Sequence, residues 1–272
     1  MARLTGERPL EGITPDSLLA LHGAGYRAVR ERLGPGRMLD VGCGQGFESA
    51  RFAAPDRSVV GVDYSFEAAL EATARFGPRG LKVAQCDARR LSLGTGTFDW
   101  VCSSHLIEHF PDAEAHVAEL ARVLATGGKA FVVTPNAPAD FENPFHIRLF
   151  RASELTAVLQ QSFDDVWVGG IDAVAKVKDD LRRRREKAAK VLAIDVFDLR
   201  HRIPRSWYVG VYTRILPLAY RFMAKGDAGG GSGITDDDFF VTEDVDDTTL
   251  VLLAVAGKPR RREPVRGERA GP

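Results

Sequence analysis

The fold is decided by the stretch Arg37-Met38-Leu39-Asp40-Val41-Gly42-Cys43-Gly44-Gln45-Gly46. A short apolar run with one acid is followed by three glycines at alternate positions, and the next segment, 47–53, is predicted to be a helix. Strand, glycine turn and helix in this order place a ligand against bare backbone at the carboxyl edge of a parallel sheet. Glycine is needed there because a side chain would block the ligand, and because such turns often require a positive φ.

The glycine spacing and the acid together indicate the kind of ligand. The pattern is G-x-G-x-G rather than the G-x-G-x-x-G of dinucleotide-binding folds, and Asp40 stands two residues before Gly42. A carboxylate so close disfavours a pyrophosphate and favours a cation with a free amino group. S-adenosylmethionine has both a sulfonium and an ammonium group, so the local chemistry favours this cofactor. A tight βα turn without a ligand is the alternative interpretation.

The composition of the 272 residues excludes several classes of protein. Lys+Arg and Asp+Glu each total 37, so no basic field indicates nucleic-acid binding. The cysteines Cys43, Cys86 and Cys102 have neither an even count nor a metal-ligand spacing, so reduced thiols and no metal are expected. Residues 1–20 lack an apolar signal core, and no apolar run reaches membrane-spanning length, so a cytoplasmic protein is expected.

Two more predicted strands end on an acid, as the first one does. Ser58–Asp63 and Leu81–Asp87 follow the glycine stretch, and a helix is predicted between them from Ser65, its N-cap, to Phe76. Three successive strands therefore place an acid at the edge where such sheets bind ligands. Asp63 stands where a βαβ unit has the carboxylate that binds a ribose diol.

Strands and helices alternate along the rest of the chain as well. Further strands are predicted at 98–104, 129–134 and 165–169, and further helices at 15–33, 111–124 and 152–161. This alternation predicts an α/β protein with a doubly wound, mostly parallel sheet. The first helix, capped by Asp16 or Ser17, has His22 and Tyr26 on one face, where they either pack or cover a ligand.

These motifs together resemble the seven-stranded (class I, Rossmann-like) S-adenosylmethionine-dependent methyltransferase family. The marks are Leu39–Gly46, Val60–Asp63, Cys86–Ala88, Phe98–Asp99 with Ile107–His109, Glu119–Gly128 and Thr134–Asn136. The resemblance covers about 26–170 and a final strand near 248–256, and it implies an insertion between the sixth and seventh strands. The segment Asn143–Phe150 is similar to a subgroup whose members often act on sugars, lipid-linked intermediates or quinone-like small molecules.

The resemblance implies a role for each residue of a cofactor site. The three glycines would approach the methionine part, and the acid of the first strand would support its amino end. The acid of the second strand would bind the ribose hydroxyls, and that of the third, with its two neighbours, the adenine amino group. Ser104 and His105 would lie beside the methyl group. The predicted cofactor-binding residues are Tyr26, Asp40, Gly42, Cys43, Gly44, Gly46, Asp63, Tyr64, Cys86, Asp87, Ala88 and Ser104.

The reaction implied is methyl transfer, with O-methylation favoured. A hydroxyl acceptor benefits from a base that titrates near neutrality, and histidine suits this role. The candidates are His105, His109 and His146. His109 has an alternative role in orienting a loop, and His146 has an alternative as a surface turn residue.

The chain is predicted to divide into three parts. Residues 1–171 and 247–258 form the methyltransferase domain, 172–246 an insertion, and 259–272 a disordered tail. The insertion contains a basic helix over 176–190 and an aromatic segment at 205–223, which is a substrate lid or an interfacial segment. The expected partner is a small-molecule, glycan or lipid-linked methyl acceptor. A lipid-linked acceptor would bring peripheral contact with a membrane. Neither nucleic-acid binding nor a transmembrane segment is expected.

Two other functions compete with methyl transfer. A nicotinamide-dependent oxidoreductase shares the strand, glycine turn and helix, but the glycine spacing and Asp40 count against it. A domain of the same fold that binds the cofactor without catalysis is the second. The intact glycines and the three acids argue that cofactor binding is retained, and only an assay of turnover separates this alternative from the enzyme.

Overall fold

A computed structural model describes residues 14–140, 145–192 and 233–260, which are built around one eight-stranded sheet. The strands are β1 (Gly36–Val41), β2 (Arg57–Asp63), β3 (Lys82–Gln85), β4 (Phe98–Ser104), β5 (Leu124–Pro135), β6 (Phe163–Ala173), β7 (Phe239–Thr242) and β8 (Val251–Pro259). The helices are α1 (Asp16–Arg30), α2 (Phe66–Phe76), α3 (Ala113–Val123), α4 (Ala152–Leu159) and α5 (Ala175–Leu192).

The strands lie in the order β3-β2-β1-β4-β5-β8-β6-β7. Strands β1 to β5 are parallel, β8 runs antiparallel to β5 and β6 on either side of it, and β7 runs antiparallel to β6. The connections turn in opposite directions from β1 and β4, so the carboxyl ends of these two strands flank the crevice where such sheets bind ligands. The predicted doubly wound, mostly parallel α/β fold is confirmed.

The strand count differs from the seven that were predicted. Phe239–Thr242 forms an additional edge strand, β7, inside the range predicted as an insertion. Four residues at a sheet edge are too few to give a clear alternating pattern, which is why the sequence did not reveal this strand. Strand β6 is also longer than predicted and runs to Ala173.

Two local predictions near the start of the fold were wrong. The segment after the glycine loop forms only a short 3₁₀ turn, Ser49–Phe52, because Pro55 and the start of β2 follow too closely for a helix. Helix α1 begins after Pro15 without a side-chain cap, so neither Asp16 nor Ser17 has the predicted capping role. Ser65 does cap α2, since its hydroxyl accepts from the Ala68 N–H.

The structure describes only part of the predicted insertion. Helix α5 confirms the predicted basic helix, whereas the aromatic segment 205–223 and residues 261–272 of the predicted tail lie outside the described residues. Within the ranges that the structure describes, no helix is both long and apolar enough to cross a membrane.

The sheet has an apolar core on each face. Alternate residues of β1 point to opposite faces, so Leu39 packs with α3 and α4, whereas Met38 packs on the side of α1 and α5. Asp40 follows Met38 by two residues and therefore lies on the α1 side, fully buried. The fold thus places this acid beneath α1, at the carboxyl end of a central strand.

His116 is a buried histidine that the structure holds in its neutral form. Its Nδ1 lies 3.0 Å from the Ala88 carbonyl, which can only accept, so Nδ1 carries the proton and Nε2 accepts from the Ser103 hydroxyl at 2.9 Å. Burial lowers the pKa of His116 to about 4 from its usual 6.5, against the smaller opposing effect of the Ala88 hydrogen bond. Protonation therefore disfavours the folded state.

We expect His116 to make the protein less stable in acid. An unfolded chain takes up this proton near pH 6.5, whereas the folded chain resists it until about pH 4. The contribution of His116 to the free energy of unfolding should therefore fall by about 3 kcal/mol across that window. Urea unfolding of the parent and of His116→Gln at several pH values measures this, because the difference between the two removes all other titrations. Parallel curves for the two proteins would contradict the prediction.

Candidate active site

The glycine loop after β1 has a backbone that suits glycine at each alternate position. Gly42, Gly44 and Gly46 have φ angles of +84°, +52° and +78°. The Gly42 N–H donates to the Val62 carbonyl at 2.8 Å, which fixes the start of the loop against β2. A Cβ on Gly42 would lie 2.9 Å from a methyl carbon of Leu106, so the turn after β4 packs directly against this loop.

Asp40 lies below the loop with one carboxylate oxygen that lacks a partner. Its Oδ2 accepts from the Ser49 hydroxyl at 2.5 Å, and the Tyr26 hydroxyl also hydrogen-bonds to the carboxylate. Its Oδ1 is buried and has no hydrogen-bond partner in the part of the chain that the structure describes. Burial raises the pKa of Asp40 to about 7, in spite of these hydrogen bonds. An orphaned buried acceptor of this kind fits an ammonium group.

We expect S-adenosylmethionine affinity to depend on the ionisation of Asp40. The pKa of about 7 belongs to the site without a ligand, and an ammonium group nearby stabilises the charged carboxylate. Affinity should therefore fall roughly tenfold as the pH is lowered from about 7.5 to 5.5. Calorimetric titrations across this range test it, with Asp40→Asn as the control that retains only the titration of the ligand itself. If the affinity of the parent and that of Asp40→Asn change equally with pH, Asp40 is not the cause of the pH dependence.

Asp63, at the end of β2, joins the glycine loop to the next βα turn. Its Oδ2 accepts from the Gly44 N–H and its Oδ1 from the Ser65 N–H, each at 2.9 Å. A carboxylate oxygen can accept more than one hydrogen bond, so these two contacts are compatible with the predicted binding of ribose hydroxyls. The predicted ribose carboxylate is therefore also a structural part of the loop, which the sequence did not indicate.

The predicted adenine side of the site is more open. Asp87 is exposed and forms an ion pair with Arg89 at 2.9 Å, and the hydrogen bonds from Arg89 hold the pKa of Asp87 below its usual value. Cys86 is partly exposed, and its sulfur accepts from the Ser92 N–H at 3.2 Å. Tyr64 is 60% exposed, so its ring is accessible from solvent beside this turn. Cys43 of the glycine loop and Ala88, which follows Asp87, were also predicted to bind the cofactor, and both are buried.

Helix α1 covers the carboxyl ends of β4 and β5. Tyr26 is buried, with its ring tilted against that of Phe52 at a centroid distance of 5.4 Å, and the His22 ring centroid lies 4.0 Å from that of His105. The hydroxyl of Ser104, the last residue of β4, is buried without a hydrogen-bond partner in the described ranges. The two helix residues whose role the sequence left open therefore both pack, and both do so at the site.

A carboxylate and three histidines form a cluster directly after β4. Glu108 is fully buried, and its Oε1 lies 3.6 Å from the His105 Nδ1. His105 has a φ of +50°, the left-handed conformation that is uncommon without glycine and that recurs at functional sites. The His109 and His146 rings lie 5.4 Å apart. Burial alone would raise the pKa of Glu108, but hydrogen bonding and charge from the histidines lower it to about 2.

His146 reaches this cluster from a different segment of the chain. Its Nδ1 lies 2.9 Å from Asp140 Oδ2, and its side chain is only 12% exposed, so it is not a surface turn residue. Burial lowers the pKa of His146, but the hydrogen bond and charge of Asp140 outweigh this effect and raise it. The three histidines predicted as alternatives therefore lie at one place, although residues 141–144, which lead to His146, are outside the described ranges.

Sequence reasoning did not place Glu108, Asp140 and His22 beside the three candidate histidines. Glu108 was noticed only as a neighbour of His109, Asp140 was not singled out, and His22 was left between packing and covering a ligand. The signal for Glu108 was an acid between two histidines at the end of a predicted strand. Asp140 had no signal, because its partner is fixed by the path of the loop and not by spacing.

Comparisons with known proteins agree with the fold. The sequence profile described as "Methyltransferase domain" matches residues 39–132. A probable S-adenosylmethionine-dependent methyltransferase of Mycobacterium tuberculosis is 33% identical over 184 residues, which are 65% of this chain and 66% of that protein. A ubiquinone biosynthesis O-methyltransferase of Xanthomonas oryzae pv. oryzae is 33% identical over 143 residues, 50% of this chain and 56% of that protein.

A solved structure shows the same fold. The S-adenosylmethionine-dependent methyltransferase of Thermotoga maritima superposes with a TM-score of 0.55 at 17% identity, covering 89% of this chain and 91% of that one. Glycine loop, strand-end acids and sheet order together define an S-adenosylmethionine-binding, Rossmann-like fold. The chain belongs to the class I S-adenosylmethionine-dependent methyltransferase family, and its cofactor is S-adenosylmethionine. The match spans 66% of the length of the mycobacterial relative.

Proposed function

We propose that this protein is an O-methyltransferase that acts on a hydroxyl group of a small-molecule, sugar or lipid-linked acceptor. The observation that carries the proposal is the cluster of Glu108 with its histidines beside the glycine loop. Leu106, between His105 and Glu108, packs on Gly42, so the cluster adjoins the place where the methionine part of the cofactor is expected. A hydroxyl needs a group that removes its proton, whereas an amine needs only to be neutral.

The residues of this chain have separate tasks in the proposal. When bound, S-adenosylmethionine supplies an electrophilic methyl group, so that the acceptor oxygen gains a bond to carbon, the carbon–sulfur bond breaks and the hydroxyl proton leaves. The three glycines and Asp40 hold the methionine part, and Asp63 holds the ribose. The turn formed by Asp87 with Cys86 and Ala88, next to Tyr64, holds the adenine. Since the sulfonium is a good leaving group, most of the catalytic effect comes from positioning.

The base in the proposal is His146. The Asp140 carboxylate accepts from its Nδ1 at 2.9 Å, which fixes the orientation of the ring and leaves the lone pair of the neutral form on Nε2. Its raised pKa favours a base that works near neutral pH. His105 and His109 belong to the same cluster. In the proposal they orient the site, or one of them acts as the base in place of His146.

The comparisons favour oxygen as the methylated atom, at low identity. The Xanthomonas relative is named an O-methyltransferase, whereas a ubiquinone/menaquinone biosynthesis C-methyltransferase of Desulfotalea psychrophila is 33% identical over only 108 residues. Carbon acceptors therefore form the second candidate. The histidine cluster favours the first, because a buried carboxylate with three imidazoles is suited to taking up a hydroxyl proton.

The acceptor side of the site is proposed to be covered by residues 172–246. The first two residues of this range end β6, and helix α5 follows. Arg185 on α5 donates hydrogen bonds to the carbonyls of Ala139 and Asp140, and Asp140 in turn holds His146. This chain of contacts supports a substrate lid, and the proposed division at 171/172 and 246/247 therefore cuts the end of β6 and leaves the edge strand β7 in the lid range.

The test is the transfer of labelled methyl from S-adenosylmethionine to a panel of phenols, catechols and sugars. Amine analogues of the same scaffolds serve as matched controls, because they differ only in the atom that is methylated. Faster transfer to the hydroxyl compounds supports the proposal. Faster transfer to the amines, or to ring carbon, would contradict it.

A further inference from the structure

The cluster after β4 has the arrangement of a metal site. One ligand atom each from Glu108, His109 and His146 lie within 4.8 Å of one another, so that small side-chain movements would bring all three to one ion. Two imidazoles and a carboxylate are a ligand set used by divalent first-row metals in sites that keep open positions. The cysteines of the chain take no part in it.

Both histidines are oriented as metal ligands usually are. The His109 Nδ1 lies 2.9 Å from the Phe145 carbonyl and must donate to it, so the lone pair of the neutral ring is on Nε2. The His146 Nδ1 donates to Asp140 Oδ2 at 2.9 Å, which places its lone pair on Nε2 as well. A backbone carbonyl and a carboxylate on the second nitrogen are the partners that commonly fix a coordinating imidazole.

The two oxygens of the carboxylate are held to different degrees. Glu108 Oε2 accepts from the Thr134 hydroxyl at 2.9 Å. Oε1 is buried, and its neighbour His105 Nδ1 lies 3.6 Å away, which is longer than a hydrogen bond. A bound cation would give this buried oxygen a closer partner of opposite charge.

The two segments that supply the ligands are tied together by the backbone. The Glu108 carbonyl accepts from the Ile147 N–H at 2.8 Å and from the Arg148 N–H at 3.1 Å. The residue that offers the carboxylate thus also holds the segment that carries His146. The ligand set is therefore fixed by the fold of both segments, and a metal need not assemble it.

We propose that Glu108, His109 and His146 bind one divalent transition-metal ion. Imidazole ligands favour ions such as Zn²⁺, Fe²⁺ or Ni²⁺ over Mg²⁺ and Ca²⁺, which prefer oxygen. Three protein ligands leave positions open for the acceptor oxygen. The role of the ion rests on the proposed O-methylation, but the ion takes the place of His146 as the base, since a coordinated Nε2 has no lone pair left to accept a proton. The ion would lower the pKa of the bound hydroxyl, whose proton passes to solvent before the oxygen is methylated. Metal binding itself does not rest on the proposed function.

Binding is tested on the full-length protein after treatment with a chelator. Co²⁺ is added as a spectroscopic probe, with visible absorption followed to saturation and Zn²⁺ used to displace it. We expect one Co²⁺ per chain, at least about tenfold weaker binding for Glu108→Gln and His109→Gln, and a loss of about tenfold or more for Asp140→Asn. His116→Gln, which alters a buried histidine outside the cluster, should bind as the parent does.

Two results would overturn the site: saturation well below one ion per chain, or unchanged affinity in His109→Gln and Glu108→Gln that are folded by circular dichroism. The role of the ion is measured separately, by methyl transfer with and without metal. Full transfer by the chelated protein would remove the ion from the reaction. Binding of one ion without transfer to any hydroxyl compound would retain the metal site and contradict the proposed function instead.

Discussion

Replacement of Gly44 with valine should lower S-adenosylmethionine affinity at least about 100-fold, close to loss of measurable binding. Gly44 has a φ of +52°, which a β-branched residue adopts only with strain, and its N–H donates to Asp63 at 2.9 Å. The valine side chain therefore either occupies the space that the cofactor is expected to fill, or it moves the loop and breaks the hydrogen bond to Asp63. Isothermal titration calorimetry on the purified variant measures the change.

The matched control is Gly80→Val. Gly80 has a φ of +91° but is exposed, and a Cβ there would meet nothing within 4 Å. This variant carries comparable backbone strain away from the site, so it should lose stability and retain cofactor affinity. If Gly44→Val binds as tightly as the parent does, the cofactor does not lie against this loop.

Replacement of His146 with alanine should reduce the rate of methyl transfer about 100-fold or more, the usual scale for a positioned base. The affinity for S-adenosylmethionine should not change, because Asp40, Asp63 and the glycine loop are left as they are. Rates with a hydroxyl acceptor and calorimetry on the same preparation give both quantities. A variant with full activity would make His146 structural and leave His105 or His109 as the next to test.

A second measurement on the same variant separates a base from a metal ligand. If His146 acts as a free base, His146→Ala should lose transfer and still bind Co²⁺ through the remaining residues with nearly normal affinity. If it coordinates the ion, transfer and metal affinity should fall together. Asp140→Asn orients the ring less firmly, and its transfer rate is therefore expected to lie between those of the parent and His146→Ala.

Much of the fold was predictable because its signals are local. Strand-end acids, the alternating glycines and the capping serine of α2 are each decided by a few neighbouring residues, and they located the strands. The turn after the glycine loop was misjudged because Pro55 ends it by a steric effect that outweighs the apolar pattern.

The candidate catalytic cluster was only partly predictable, for a different reason. His105, His109 and His146 were chosen for their chemistry, but their meeting depends on the hydrogen bonds from the 147 and 148 amides to the Glu108 carbonyl. Such contacts join residues that are far apart in the chain, and the spacing of these residues in the sequence does not predict them. The pairing of Asp140 with His146 is of the same kind.

The position of β8 in the sheet has a consequence for synthesis. This strand comes after all the others in the chain, yet it lies between β5 and β6 and pairs with both. While the chain emerges from the ribosome, β1 to β5 can assemble in order, but β6 and β7 have no place on the sheet until residue 259 has been made. The edge of β5 therefore stays open in the nascent chain, and a strand edge of this kind is a site for aggregation that chaperones cover.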